Sequence, residues 1–220
     1  MPALLLDFNG VIINDEEQHR EALTATLAGL GISLPREEYY ATYLGWDDRE
    51  CFRHAFRVAG LPAGRQEVGA AVGRKAAAYR ALVSARMELV PGAVDFVEQA
   101  SRLGLVIGIV SAATREEIEF VLRAAGIHDL VDAVVAAEDV SSCKPSPEGY
   151  LYGLDLLRAD PDAAFAVEDS IPGVQAARAA GLRVAALTTS HPAAELSGAD
   201  PVWQDFTGRS PADLPWDRTR

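Results

Sequence analysis

Asp7, Asn9 and Gly10 follow a short apolar run near the start of the chain. Ser111-Ala112 follows a second such run, Lys144-Pro145 stands in the loop beyond a third, and Glu168-Asp169 follows a fourth. Gathered in one place, these residues offer three carboxylates, a hydroxyl, a lysine, and a glycine suited to a tight turn. Oxygen donors with no Cys or His beside them suit a hard cation such as Mg²⁺. A divalent cation, an ammonium and a hydroxyl are together equipped to hold a phosphoryl group. A carboxylate beside them can attack phosphorus and carry the group as an acyl phosphate. Lysine is also scarce, with only Lys75 and Lys144 against 18 arginines, which draws attention to both.

Bringing these residues together is the task of the elements between them. Ala3–Leu6 reads as a buried strand. From Asp15 to about Arg86 the pattern is helical, over 16–30, 36–43, 47–59 and 65–84, with breaks at Gly29-Leu30-Gly31, Gly45 and Gly60-Leu61-Pro62. Beyond Pro91-Gly92 helices and strands alternate: helix 93–103, strand 106–110, helix 115–125, strand 133–136, helix 148–157, strand 164–167, helix 172–180, strand 183–187, and a short strand near 201–203. Alternation of this kind means βαβ units and a parallel sheet. The expected fold is therefore α/β, a doubly wound, Rossmann-like parallel sheet with a helical domain inserted after its first strand. The domain limits are 1–14 with 89–220 for the sheet, and 15–88 for the insertion. Ligands of such sheets bind beyond the carboxyl ends of the strands, which is where Asp7, Asn9, Gly10, Ser111, Lys144, Glu168 and Asp169 fall.

Composition narrows the function classes. The net charge is −12 over 220 residues and the pI is near 4.7, so a nucleic-acid backbone is a poor partner. Residues 15–88 carry 11 acidic and 10 basic groups, so almost all of the excess negative charge belongs to the remainder. The longest apolar stretch, near Leu103–Val110, is too short for a membrane span. The N-terminus has neither the basic region nor the apolar core of a signal peptide. Two cysteines, Cys51 and Cys143, argue against a disulfide scaffold and fit a reducing, cytoplasmic location.

Asp7-Phe8-Asn9-Gly10-Val11, Ser111, Lys144-Pro145 and Glu168-Asp169-Ser170 with Gly173 resemble, in order, the four motifs of the haloacid dehalogenase-like superfamily. The helical insertion is similar to that superfamily's C1 cap. The run from Glu168 to Gly181, with Gly10-Val11, Glu16 and His19, resembles the β-phosphoglucomutase and sugar-phosphatase branch. The resemblance implies Mg²⁺ as cofactor and a small phosphorylated metabolite as substrate, with no nucleic acid or membrane partner, in a monomer or weak homodimer. It implies Asp7 as nucleophile and Mg²⁺ ligand, and Asn9 as ligand through its backbone carbonyl. Ser111 and the Ala112 amide would hold phosphoryl oxygens, Lys144 would neutralise charge, and Glu168 and Asp169 would complete the metal site. In the cap, His19, Gly45, Trp46, Arg49 and Lys75 would face the substrate's leaving group, Arg49 and Lys75 meeting a second anionic group. Their plainer roles are structural: Asp47 or Asp48 capping a helix, Trp46 packing, and Arg49 in solvent.

One position departs from the family pattern. Asp-x-Asp is usual, and here the second Asp is Asn9. An amide cannot exchange a proton near neutral pH, and general acid–base help is typically worth about 10²–10⁴ in rate. The expected activity is thus a phosphatase that is slowed or selective, for instance toward a leaving group that needs no proton. The alternatives are a non-catalytic phospho-ligand binder, an engineered substrate-trapping variant, deamidation of Asn9-Gly10, and a β-phosphoglucomutase-like mutase, which would need the acid/base twice per cycle. His19 and Asp15 are candidate substitutes as proton donors. The intact Glu168-Asp169 pair speaks against metal-free dehalogenation, and the setting of Lys75 speaks against Schiff-base phosphonate chemistry.

Overall fold

The computed structural model describes residues 2–216. Six strands, β1 (Ala3–Leu6), β2 (Val106–Val110), β3 (Ala133–Val135), β4 (Ala164–Glu168), β5 (Arg183–Leu187) and β6 (Val202–Trp203), form one sheet. All pairings are parallel. The helices are α1 (Glu16–Ala28), α2 (Arg36–Glu38), α3 (Asp48–Val58), α4 (Arg65–Ala85), α5 (Ala93–Arg102), α6 (Arg115–Ala124), α7 (Glu148–Leu157) and α8 (Ile171–Ala179). Two compact units divide the chain: Met1–Asn14 with Leu89–Arg220, and Asp15–Glu88.

In the first unit the strand order is β3-β2-β1-β4-β5-β6. The sheet grows outward from β1 in one direction and then, from β4, in the other. This is the expected doubly wound arrangement, and the β1–β4 junction is its switch point. β1 is Ala-Leu-Leu-Leu with every side chain buried, as a strand covered on both faces must be. Ala3 and Leu5 join one apolar cluster with Tyr150 and Leu154 of α7 and Val174 and Ala177 of α8. Alternation along the strand turns Leu4 and Leu6 to the opposite face. Register then sets the site. Leu6 pairs with both Ile109 and Val167, so Asp7 leaves the sheet level with Val110 and Glu168.

The helices start where their sequences provide caps. Thr114 and Glu117 form a reciprocal capping box at α6. The Ser170 hydroxyl accepts from the Gly173 amide at α8, with Pro172 in the first turn. Such caps contribute about 1 kcal/mol each. Observed helix ends agree with the sequence expectation to within a residue or two, the range over which ends fray.

The second unit buries Leu23, Leu27, Tyr39, Phe52, Phe56 and Val68 in its own apolar cluster. Asp47 caps α3, accepting from the Arg49 and Glu50 amides at 2.8 and 3.0 Å. One segment differs from expectation. Residues 36–43 are not a single α-helix: α2 passes into a π-helical turn over Tyr39–Tyr43, with the Leu44 amide donating to the Tyr39 carbonyl at 3.1 Å. The wider turn accompanies burial of Tyr39 and Tyr43, while Tyr40 stays outside and donates to Glu17 at 3.0 Å. Gly45, at φ +80°, ends the segment.

Candidate active site

Asp7 emerges from β1 nearly buried, its amide held by the Val167 carbonyl at 3.0 Å. Lys144 reaches it from the loop before α7. The ammonium lies 2.8 Å from Asp7 Oδ1 and 2.5 Å from Glu168 Oε1, and it donates to the Val110 carbonyl at 3.1 Å. All three ammonium protons therefore have acceptors. Glu168 closes β4 with no exposed surface. Its Oε1 also accepts from the Tyr150 hydroxyl at 2.6 Å. Its Oε2 accepts from the Asp169 amide at 3.2 Å and the Ser170 hydroxyl at 3.1 Å. Asp169 is held from the segment after β5, where its carboxylate accepts from the Ser190 hydroxyl and the Thr189 hydroxyl lies 3.4 Å away.

Two glycines permit this crowding. Gly10 sits at φ +72°, and a Cβ there would fall 1.8 Å from Asp169 Oδ2. A Cβ on Gly173 would lie 1.9 Å from Glu168 Oε2. Both positions are occupied by glycine because carboxylate oxygens stand where a side chain would begin. The Thr189 hydroxyl donates to the Gly10 carbonyl at 2.6 Å, anchoring the turn that carries Asn9. Ser111, buried at the end of β2, accepts from the Ala113 amide at 3.0 Å and donates to Asn9 Oδ1 at 3.4 Å. Ala112 occupies the exposed position between Ser111 and Ala113.

The electrostatics follow from confinement. Asp7, Glu168 and Asp169 each present an oxygen within 4.8 Å of the others. Burial, and then the charge of Glu168, pushes the Asp7 carboxyl up to about 7, against the opposing pull of Lys144. Asp169 is raised for the same reasons, burial first and then Asp7 and Glu168. Burial alone would lower Lys144, but Asp7 and Glu168 outweigh it and hold the ammonium above its usual range. Three buried carboxylates against one ammonium leave excess negative charge in a region of low dielectric. All the donors are oxygen, so the set fits a hard divalent cation.

The structure thus brings together Asp7, Asn9, Ser111, Lys144, Glu168 and Asp169, which lie far apart in the chain. The remaining predicted residues lie in the helical unit. Trp46, about 40% exposed, packs edge-on against His54 with ring centroids 5.3 Å apart. Arg49 is exposed in the first turn of α3, and Gly45 precedes it in the loop. Lys75 differs from expectation: it is buried, and the anionic group it meets is Asp48, at 2.9 Å. It also lies 2.5 Å from His19 Nδ1. An ammonium only donates, so Nδ1 accepts and the His19 proton resides on Nε2, 3.2 Å from Asp15 Oδ2. Asp15 accepts in turn from the Tyr79 hydroxyl. Tyr150, Thr189 and Ser190 escape the sequence reading. Thr189 and Ser190 follow β5, and applying the strand-end rule to that strand would have found them. Tyr150 lies in the first turn of α7, where a buried tyrosine looks like core.

Known proteins show the same organisation. A family model described as haloacid dehalogenase-like hydrolase matches residues 1–181. Validoxylamine A 7'-phosphate phosphatase of Streptomyces hygroscopicus subsp. limoneus is 32% identical over 205 residues, covering 92% of this chain and 93% of that protein. CbbY of Rhodobacter capsulatus is 31% identical over 194 residues, covering 84% of each. The structure of an Asp-to-Asn variant of CbbY from Rhodobacter sphaeroides, in complex with xylulose-(1,5)bisphosphate, superposes with a TM-score of 0.86 at 30% identity, covering 96% of this chain and 98% of that one. The match begins at β1 and runs through the last strand-end carboxylates: the chain belongs to the haloacid dehalogenase-like hydrolase family.

Proposed function

We propose that the protein is a Mg²⁺-dependent phosphatase of a small phosphorylated carbohydrate, working through a phosphoryl group carried on Asp7. The observation that carries this reading is Lys144 bridging Asp7 at 2.8 Å and Glu168 at 2.5 Å at the switch point of the sheet. Relatives whose names carry validoxylamine A 7'-phosphate and xylulose-(1,5)bisphosphate direct the choice of substrate class. Asp7, Asp169 and the Asn9 carbonyl would hold the cation, with Glu168 beside them. When bound, Mg²⁺ supplies positive charge for the phosphoryl oxygens and offsets the carboxylates.

The chain's own residues do the rest. The Asp7 carboxylate attacks phosphorus, and the bond to the carbohydrate oxygen breaks. Lys144 stabilises charge on Asp7 and on the transferring group, and Ser111 with the Ala112 amide orients its oxygens. Water then cleaves the acyl phosphate, releasing phosphate and restoring Asp7. Asn9 holds its place in the turn but has no proton to give to the departing oxygen, which makes that step slow or restricts it to good leaving groups. Asn9 also favours a second reading, a phospho-ligand binder without turnover. A panel of phosphorylated carbohydrates with Mg²⁺ tests the first reading by phosphate release. Release that stops on chelation supports it, whereas binding without release from any member supports the second.

The raised carboxyls give a pH-dependent expectation. A group raised on folding contributes stability at low pH that is lost as pH rises through its folded value. For Asp7 this window runs from about 4, its ordinary value, up to about 7. A cation must displace those protons. Mg²⁺ is therefore expected to raise the melting temperature more at pH 8 than at pH 5.5, read by calorimetry. Equal shifts at both pH values would contradict binding at these carboxylates.

A further inference from the structure

Glu168 is fully buried, and its surroundings use every acceptor position it has. Lys144 and Tyr150 donate to Oε1, at 2.5 and 2.6 Å. The Asp169 amide and the Ser170 hydroxyl donate to Oε2, at 3.2 and 3.1 Å. A carboxylate offers about four lone-pair sites, so the set is complete. Asp169 and Ser170 are chain neighbours that β4 delivers in any case. Tyr150 comes from the first turn of α7 and is itself fully buried. A buried tyrosine among apolar neighbours would serve packing equally well as phenylalanine. Its hydroxyl is spent on one oxygen of one carboxylate, the oxygen that also holds Lys144. The Lys144 ammonium lies 5.3 Å from the Tyr150 ring centroid, so the same side chain donates to Glu168 and walls the seat of the lysine.

The geometry points to Tyr150 as a positioning residue: its hydroxyl locks the Glu168 carboxylate, and its ring confines the Lys144 ammonium, so that Lys144 is aimed at Asp7. Without the hydroxyl, Oε1 keeps only Lys144. Oε2 keeps its donors from Asp169 and Ser170, but Oε1 is held less firmly, so it shifts toward a bound cation and Lys144 is aimed less well at Asp7. Partners one step removed from a metal typically matter about 10–100-fold in affinity or activity. The inference rests on the cation-dependent reading given above.

Tyr150→Phe retains the ring and removes only the hydroxyl. Mg²⁺ binding is measured by titration calorimetry without substrate, alongside kcat and KM on whichever phosphorylated carbohydrate the panel identifies. The expected result is a folded variant with Mg²⁺ affinity weakened by about 10-fold, kcat lowered by a similar factor, and KM little changed. A purely structural tyrosine would lower the melting temperature and leave the Mg²⁺ affinity of the folded fraction alone. A Phe variant with native affinity and native kcat overturns the inference while leaving the phosphatase reading intact. A native chain that takes up no Mg²⁺ overturns the cation reading, and this inference with it. If the Phe variant does not fold, the Tyr150 hydroxyl proton is followed by NMR in the native chain. Its resonance is expected to shift on Mg²⁺ addition, and an unmoved resonance overturns the assignment.

Discussion

Asp7→Asn is expected to abolish turnover and to make the metal-free protein more stable. The loss of activity follows from chemistry. The amide nitrogen and oxygen that replace the carboxylate cannot attack phosphorus, and removal of a nucleophile costs on the order of 10³–10⁶-fold in kcat. The gain in stability follows from confinement. Asp7 is buried beside Glu168 and Asp169, with oxygens within 4.8 Å of one another, and its carboxyl is pushed up to about 7 by burial and by Glu168. A neutral amide of the same shape relieves that repulsion, although it weakens the contact to Lys144. The melting temperature of the metal-free variant should therefore rise at pH 8, with a smaller rise at pH 5.5, where the native carboxyl is already protonated. Mg²⁺ should stabilise the variant less than the native chain. A variant that melts lower at both pH values would show that the Asp7–Lys144 ion pair outweighs the crowding.

Asn9→Asp carries the second large effect, in the opposite direction. The side chain of residue 9 lies 3.4 Å from the Ser111 hydroxyl, in the turn pinned by Thr189 on the Gly10 carbonyl. A carboxyl in that position can give a proton to the departing oxygen and take one from the attacking water. The gain in kcat is expected to be about 10²–10⁴ for a carbohydrate phosphate with a poor leaving group. For an activated phosphate ester, whose oxygen leaves unprotonated, the gain should nearly vanish. On the carbohydrate phosphate a pH-rate profile should acquire a new alkaline limb, since the added carboxyl must be protonated to give its proton to the departing oxygen. Equal rates for the two chains on a poor leaving group would mean that the proton comes from elsewhere. Asp15→Asn and His19→Gln, made separately, would then locate it.

Much of this site is legible in the sequence, for reasons particular to its residues. Ala3–Leu6 and Ala164–Val167 are apolar on both faces, so their ends are sharp and Asp7 and Glu168 stand where buried backbone meets the ligand side. Parallel register then brings residues separated by 161 positions to one level without further design. Side-chain pairing across distance is a different matter. Lys75 is expected from the sequence to meet a second anionic group of the substrate, and in the fold Asp48, 27 residues earlier, pairs with it. The π-helical turn at Tyr39–Tyr43 has no local signal, because tyrosines at this spacing suit an ordinary helix equally well. Tyr150 is silent because burial is the usual fate of an aromatic residue on a helix, and only the position of Glu168 Oε1 shows what its hydroxyl does.

In the proposed mechanism Asp7 carries the phosphoryl group, and Asn9 makes this directly measurable. Without a residue to activate water, the acyl phosphate should persist long enough to isolate. The native chain is mixed with Mg²⁺ and a reactive phosphoryl donor such as acetyl phosphate, quenched in acid and digested. The Asp7-bearing peptide is then read by mass spectrometry. One added phosphoryl group is expected on Asp7, labile to hydroxylamine, absent without Mg²⁺ and absent in Asp7→Asn. Phosphate release with an unmodified Asp7 peptide, or a phosphoryl group found on another residue, would contradict it.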